Sequence, residues 1–166
     1  MKILFILLFC AFMDDISVSY TPKSNPKEMP YGRLKWTDFK VKNATDNTAA
    51  ESVTSIGYSY DGYSTVTVFC NFDKEESFVK SKFKNDHILN HEQRHFDLTY
   101  IFAKRFITEL KKQPVLNESI VEEMYNRNIV EKDRVQDMYD RQTKHSEDIN
   151  MQLLWDKKID NLLINL

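Results

Sequence analysis

Residues that loosen or cross-link a chain are scarce here: 166 residues contain three Gly, four Pro and two Cys. So little glycine and proline argues against a flexible, low-complexity segment. The 42% of hydrophobic and 13% of aromatic residues suit a packed, helix-rich globule. An excess of either charge is missing too. The 23 Lys and Arg against 25 Asp and Glu leave a net charge of -2, so there is no basic field with which to hold nucleic acid. No stretch approaches the roughly 20 apolar residues of a stable membrane-spanning helix. The length is that of one domain with a real core.

What apolar run there is sits at the start. Lys2 precedes an almost unbroken hydrophobic stretch over 3–13, and Ser17, Val18 and Ser19 put small side chains where a signal peptidase inspects the chain. This predicts a signal peptide over 1–19, cut after Ser19, and an exported protein that is periplasmic or secreted. With the leader gone, Cys10 goes too and Cys70 is left alone, so no internal disulfide can form. Cys70 alternates within a strand-like run, the setting of a buried apolar residue rather than a nucleophile.

An extended arm is expected over 20–33, carrying Pro22, Pro26 and Pro30, followed by one domain over 34–166. Leu34, Trp36 and Phe39 anchor a weakly alternating segment, and 42–51 is polar enough for a loop. The runs 53–60 and 63–72 are rich in Val, Thr, Ile, Tyr and Phe and are separated by Asp61-Gly62, which predicts an antiparallel hairpin. In the second run Val66, Val68 and Cys70 share one face, the one expected to meet helices. Helical spacing takes over beyond it. Asn85 or Asp86 caps a helix reaching about residue 112, with an apolar stripe through Ile88, Phe96, Tyr100, Ala103, Phe106 and Leu110. Pro114 ends it. A charged helix over 115–139 follows, and a last helix over 146–166 is expected to pack Ile149, Leu153, Leu154, Ile159, Leu162 and Leu163 on the core. The fold class is therefore α+β: a small antiparallel hairpin or sheet packed against one long helix and C-terminal helices.

The long helix carries His91-Glu92-Gln93-Arg94-His95. Histidines four residues apart lie about 40° and about 6 Å from each other on a helix, so both imidazoles can converge on one ion. Glu92 is one step round and can reach a water held there, the general-base position of zinc hydrolases. Such a centre needs a third protein ligand. His87 shares the face, but three histidines over about 12 Å cannot all reach one ion. It reads as a polar residue of the first turn. Asp97 points away from that face and can orient a neighbour, and Glu109 lies about 21 Å further along the axis. His145, at a break between helices, is the preferred third ligand, with an acid such as Asp140 as the alternative and an open, unclosed site as the third case. If His145 binds, Asp140 can accept its second ring proton. Tyr139 can donate to a developing oxyanion if it faces the pocket. Otherwise Tyr139 and Asp140 are an ordinary helix end.

These segments together resemble a bacterial family of predicted secreted zinc-dependent proteases, catalogued as domain of unknown function 922. The resemblance extends over about 34–163. Leu34-Lys35-Trp36-Thr37-Asp38-Phe39 is similar to the family's opening L-x-W-x-D-F segment, and Ser77-Phe78-Val79 to a Ser-aromatic-Val segment. The His91-Glu92-Gln93-Arg94-His95-Phe96-Asp97 stretch is similar to H-E-Q-x-H-F-D. Tyr139, Asp140, Thr143 and His145, then Gln152 and Trp155, resemble Y-D-x-x-T-x-H and Q-x-x-W. Phe78 stands where Trp is expected and Ser146 where Gly is common. The resemblance implies a zincin-like domain with Zn2+, a peptide or protein substrate and Glu92 as general base. The competing expectation is an exported envelope or binding protein with a structural zinc, which would need a fourth protein ligand to close the shell.

Overall fold

The computed structural model describes residues 16–23, 25–42 and 48–166. The greater part of the expected leader, 1–15, and the centre of the expected 42–51 loop, 43–47, lie outside the described residues. The rest is an α+β domain of two small sheets and three helices.

The expected hairpin is present as β5 (Thr54–Tyr60) and β6 (Thr65–Asp73), paired antiparallel with Ile56 opposite Cys70 and Tyr58 opposite Val68. Its turn is built by Asp61, whose Oδ1 accepts from the backbone N–H of Tyr63, Ser64 and Thr65, and by Gly62 at φ 86°. Gly57 faces Phe69 across the pair, and a Cβ at Gly57 would fall 2.2 Å from that ring.

The sheet is mixed rather than purely antiparallel. β1 (Ser17–Tyr20) runs parallel to β6, with Val18 opposite Val66, and β2 (Glu28–Pro30) runs antiparallel to it, with Met29 opposite Phe72. The 20–33 segment is thus extended as expected but held to the sheet, and the expected cut after Ser19 lies within β1. Periodicity could not reveal this, because a three- or four-residue edge strand carries too short a pattern. A second sheet places β7 (Phe78–Val79) between β3 (Lys40–Val41) and β4 (Ala50–Glu51), which leaves β4 at an edge.

Three asparagine or aspartate caps start the helices. Asn85 accepts from Ile88 N–H at α1 (Asp86–Leu110), Asn117 from Ile120 N–H at α2 (Glu118–Thr143), and Asp148 from Met151 N–H at α3 (Ile149–Ile164). Each satisfies one of the unpaired donors of a first turn. Val66, Val68, Cys70 and Phe72 are fully buried on the face of β6 that meets α1, where Phe96, Ala103, Phe106 and Leu110 complete the core. Burial pushes the Cys70 thiol pKa up, as befits a core residue. A second cluster, Leu98, Ile101, Tyr139, Trp155 and Ile159, joins the three helices.

α3 packs by only part of the face expected: Ile159 is in the second cluster and Leu163 packs against it. Gln152, Trp155 and Ile159 are buried, whereas Ile149, Leu153, Leu154 and Leu162 are exposed, at 54% and 58% for the two central leucines. The inward face also takes in a polar residue, Gln152, in the first turn of the helix, which apolar spacing does not pick out. Between α2 and α3 the chain turns through Lys144, His145 and Ser146 at φ 51°, 53° and 75°. None of the three is glycine, so this left-handed corner is strained.

Candidate metal centre

α1 brings His91 and His95 to one place, as their spacing requires, and the last turns of α2 supply the third group. His91 Nε2 and His95 Nε2 lie 3.2 Å apart. Asp140 Oδ1 is 3.1 Å from the first and 2.9 Å from the second. Three ligand atoms thus form a triangle with edges of 2.9 to 3.2 Å. A tetrahedral zinc with bonds near 2.0 Å needs ligand separations of about 3.3 Å, so this donor set fits a divalent ion with little adjustment.

The electrostatics agree with that fit. Burial opposes a charge on His95, but the hydrogen bond and charge of Asp140 outweigh it and raise the pKa of the ring. Burial also opposes the Asp140 carboxylate, yet its hydrogen bonds to His91 and His95 hold its pKa well below the usual range. The triangle is built around a positive charge. Each ring is held from behind at Nδ1, His91 by Gln152 Oε1 at 3.0 Å and His95 by Gln136 Oε1.

Glu92 reaches the same space from the next position of α1. It is only 4% exposed and its Oε2 has no hydrogen-bond partner among the described residues. Such a group is costly to bury unless something outside the chain meets it. It lines a cleft of about 1110 Å³ together with His91, His95, Asp140, Gln136 and the extended segment 48–54, which includes β4.

Asp140, expected as support behind a ligating His145 or else as the alternative third ligand, itself faces both ring nitrogens. His145 stays at the rim: its side chain is 76% exposed and its Nδ1 is 3.7 Å from Asp140 Oδ1. The left-handed corner holds it there, and His87 Nε2, 2.6 Å from the Ser146 carbonyl oxygen, ties that corner to α1.

Tyr139 does not face the cleft. It is fully buried, stacks on His91 with centroids 4.7 Å apart, and donates to Gln152 Oε1 at 2.9 Å. Burial raises its pKa further. It therefore holds the His91 ring and is no oxyanion donor. Asp97 turns away from the histidines, as helical geometry demands, and accepts from Tyr31 Oη, Gln93 Nε2 and Arg94 Nη1 at 3.0, 2.8 and 3.0 Å.

Sequence reasoning gave no role to Arg94, Gln136 or Asp156. Arg94 donates to Asp156, Asp160 and Asp97 at 2.9, 2.7 and 3.0 Å. Only the unusual setting of an arginine inside the motif helix could have hinted at this, since Asp156 and Asp160 lie 62 and 66 residues away on α3. Comparisons with protein-family models, curated proteins and solved structures each find no match to this chain.

Proposed function

We propose that this chain is a zinc-dependent peptidase of zincin-like organisation, with His91, His95 and Asp140 as the metal ligands and Glu92 as the general base. One observation carries the reading: two ring nitrogens and a carboxylate oxygen close a zinc-sized triangle beside a buried, unpartnered Glu92 carboxylate on an open cleft. Sets of two histidines and one carboxylate, with a fourth position left free, are those of hydrolytic zinc sites.

The ion would supply Lewis acidity, acidifying a water and polarising the scissile carbonyl. Glu92 takes the proton of the attacking water and delivers it to the leaving amine. Its low exposure keeps the carboxylate poorly solvated until substrate and water arrive. β4, an edge strand on the cleft wall, offers an extended substrate a backbone to pair with, which favours a peptide over a compact small molecule. His145, at the rim, stands where it can meet the substrate rather than the ion. The segments resembling the predicted secreted proteases and the expected leader belong to the same reading, in which the enzyme works outside the cytoplasm.

A purely structural zinc would call for a fourth protein ligand and would leave Glu92 without a task. The deciding experiment is incubation of the zinc-loaded protein with a mixed peptide library, with and without a chelator. New peptide termini that depend on zinc and vanish in Glu92→Gln are expected. A Glu92→Gln protein that cleaves at the wild-type rate would sink the assignment.

A further inference from the structure

Gln136 and Gln152 lie behind the triangle, on different helices, and each sets its amide oxygen against the Nδ1 of one histidine. We propose that the two glutamines are positioning residues that lock both imidazoles in a single tautomer, Nδ1 protonated and Nε2 with its lone pair turned to the ion. This rests on the reading of the site as a metal centre.

The direction of each hydrogen bond follows from the atoms behind it. Gln152 Nε2 donates to Asp156 Oδ1 at 2.9 Å, and an ionised carboxylate only accepts. The amide cannot be turned round, so its oxygen must face His91. That oxygen also accepts from Tyr139 Oη at 2.9 Å, and it can meet His91 Nδ1 at 3.0 Å only if the ring nitrogen donates. Gln136 repeats the device. Its Nε2 donates to the His95 carbonyl oxygen at 2.9 Å and lies 3.0 Å from Thr99 Oγ1, so its oxygen is left for His95 Nδ1. With both Nδ1 atoms donating, a neutral ring keeps its Nε2 lone pair for an ion, whereas in the metal-free protein a proton taken up at either Nε2 is donated to Asp140 Oδ1, 3.1 and 2.9 Å away.

The Gln152 arm is braced further. Asp156 also accepts from Arg94 Nε at 2.9 Å and from Asn90 Nδ2 at 3.0 and 3.1 Å. Arg94 is itself fixed by Asp97 and Asp160. Asp156 thus accepts from α1 on one side and from Gln152 Nε2 on the other, which fixes the amide whose oxygen faces His91.

An amide does here what a carboxylate cannot. A glutamate at 152 could accept from His91 and Tyr139, but its other oxygen would press on Asp156 and add a second negative charge behind the site. The neutral amide orients the ring while Asp140 remains the single anion on the ion, which preserves the positive charge that acidifies water.

Because Asp140 competes with the glutamines for the ring protons, nitrogen-proton correlation NMR is read on metal-free protein carrying Asp140→Ala, at a pH high enough to keep both rings neutral, where it reports the tautomers that the glutamines set. Both rings are expected with Nδ1 protonated. Gln152→Leu should turn His91 alone into a tautomer mixture, and Gln136→Leu should do so for His95 alone. Gln152→Glu keeps the acceptor and should keep the His91 tautomer even though it strains Asp156. Zinc competition against a chromophoric chelator should show a loss of about 10–100-fold in affinity for each leucine variant. Wild-type tautomers and zinc affinity in both leucine variants would overturn the proposal while leaving the metal centre standing. The expected tautomer pattern, together with a failure of the wild-type protein to bind zinc, would support the clamp and reject the metal centre. Should Gln152→Leu not fold, Gln136→Leu carries the same contrast on the other ring.

Discussion

The two halves of α1 are buried to a similar degree and made of opposite materials. Its second half sinks Leu98, Ile101, Phe102, Ala103, Phe106, Ile107 and Leu110 into apolar surroundings with Thr99 as its buried polar residue, while its first half, beside Ile88 and Phe96, buries His91, Glu92, Gln93, Arg94 and Asp97. Apolar burial stabilises by about 1.5–3 kcal/mol for each large side chain and needs no particular partner. Polar burial is unfavourable unless every atom finds one. In the first half nearly every atom does: Gln93 accepts from Leu34 N–H at 2.8 Å, Asp97 has three donors, and Arg94 has three carboxylates. Glu92 Oε2 is the exception in this helix. Against so thoroughly partnered a background, an acceptor without a donor marks the position where the chain meets something other than itself.

The sharpest separation of the halves pairs a change of charge with a change of volume. Glu92→Gln should lower peptide hydrolysis by about 10²–10⁴-fold, the contribution of a general base, with zinc affinity and melting temperature near wild type. Phe106→Ala should cost about 3–5 kcal/mol in urea unfolding, yet the folded protein should bind zinc as before. Loss of zinc affinity in folded Phe106→Ala would mean that the halves are not independent. Arg94→Met then tests whether polar partnership matters as much as apolar packing. It leaves buried Asp97 and half-buried Asp156 without their cation and should also cost about 3–5 kcal/mol, with an unchanged dependence on urea concentration because no apolar area is lost.

That contrast also explains what could be read from the sequence. The hairpin, the cap at Asn85 and the convergence of His91 with His95 are local, set by patterns within a few residues. The apolar half of α1 is legible for the same reason. Partners of the polar half are not: Gln136, Gln152 and Asp156 come from α2 and α3, and no spacing rule connects them to α1. Asp140 and His145 show the limit most clearly. Five residues apart near one helix end, both are plausible ligands by composition; the aspartate turns inward from its place on α2, and the left-handed corner at 144–146 leaves the histidine at the rim. α3 misleads in part for a related reason: Ile159 and Leu163 pack as their spacing predicts, but Leu153, Leu154 and Leu162 face outward while polar Gln152 is buried.

Acidity offers a gentler probe of the polar half in the metal-free protein. The folded pKa of Asp140 is lowered, so its stabilisation is present above the unfolded value of about 3.9 and is lost as pH falls through the folded one. That of His95 is raised, so its stabilisation is present below about 6.5 and is lost as pH rises through the folded value. Thermal melts should therefore peak between about pH 4 and 6.5. Asp140→Asn should flatten both flanks, and saturating zinc should carry the maximum to higher pH. A Phe106→Ala protein should keep the wild-type profile at lower temperatures throughout.

The smallest effect belongs to the caps, and it asks whether the polar half depends on its helix end or on its side-chain partners. Asn85 and Asn117 do the same work, each accepting from an N–H three residues on at 2.9 Å. Replacing either by Ala should cost about 1 kcal/mol, a fall in melting temperature of roughly 2–4 °C for a chain of this size. Asn85 stands next to the site, yet His91 is more than one turn beyond it, and its ring is fixed by Gln152 and Tyr139 from other helices. Zinc affinity should therefore be equal in the two variants. A tenfold weakening confined to Asn85→Ala would show that fraying of the first turn reaches the ligands, and that the partners on α2 and α3 do not hold the polar half unaided.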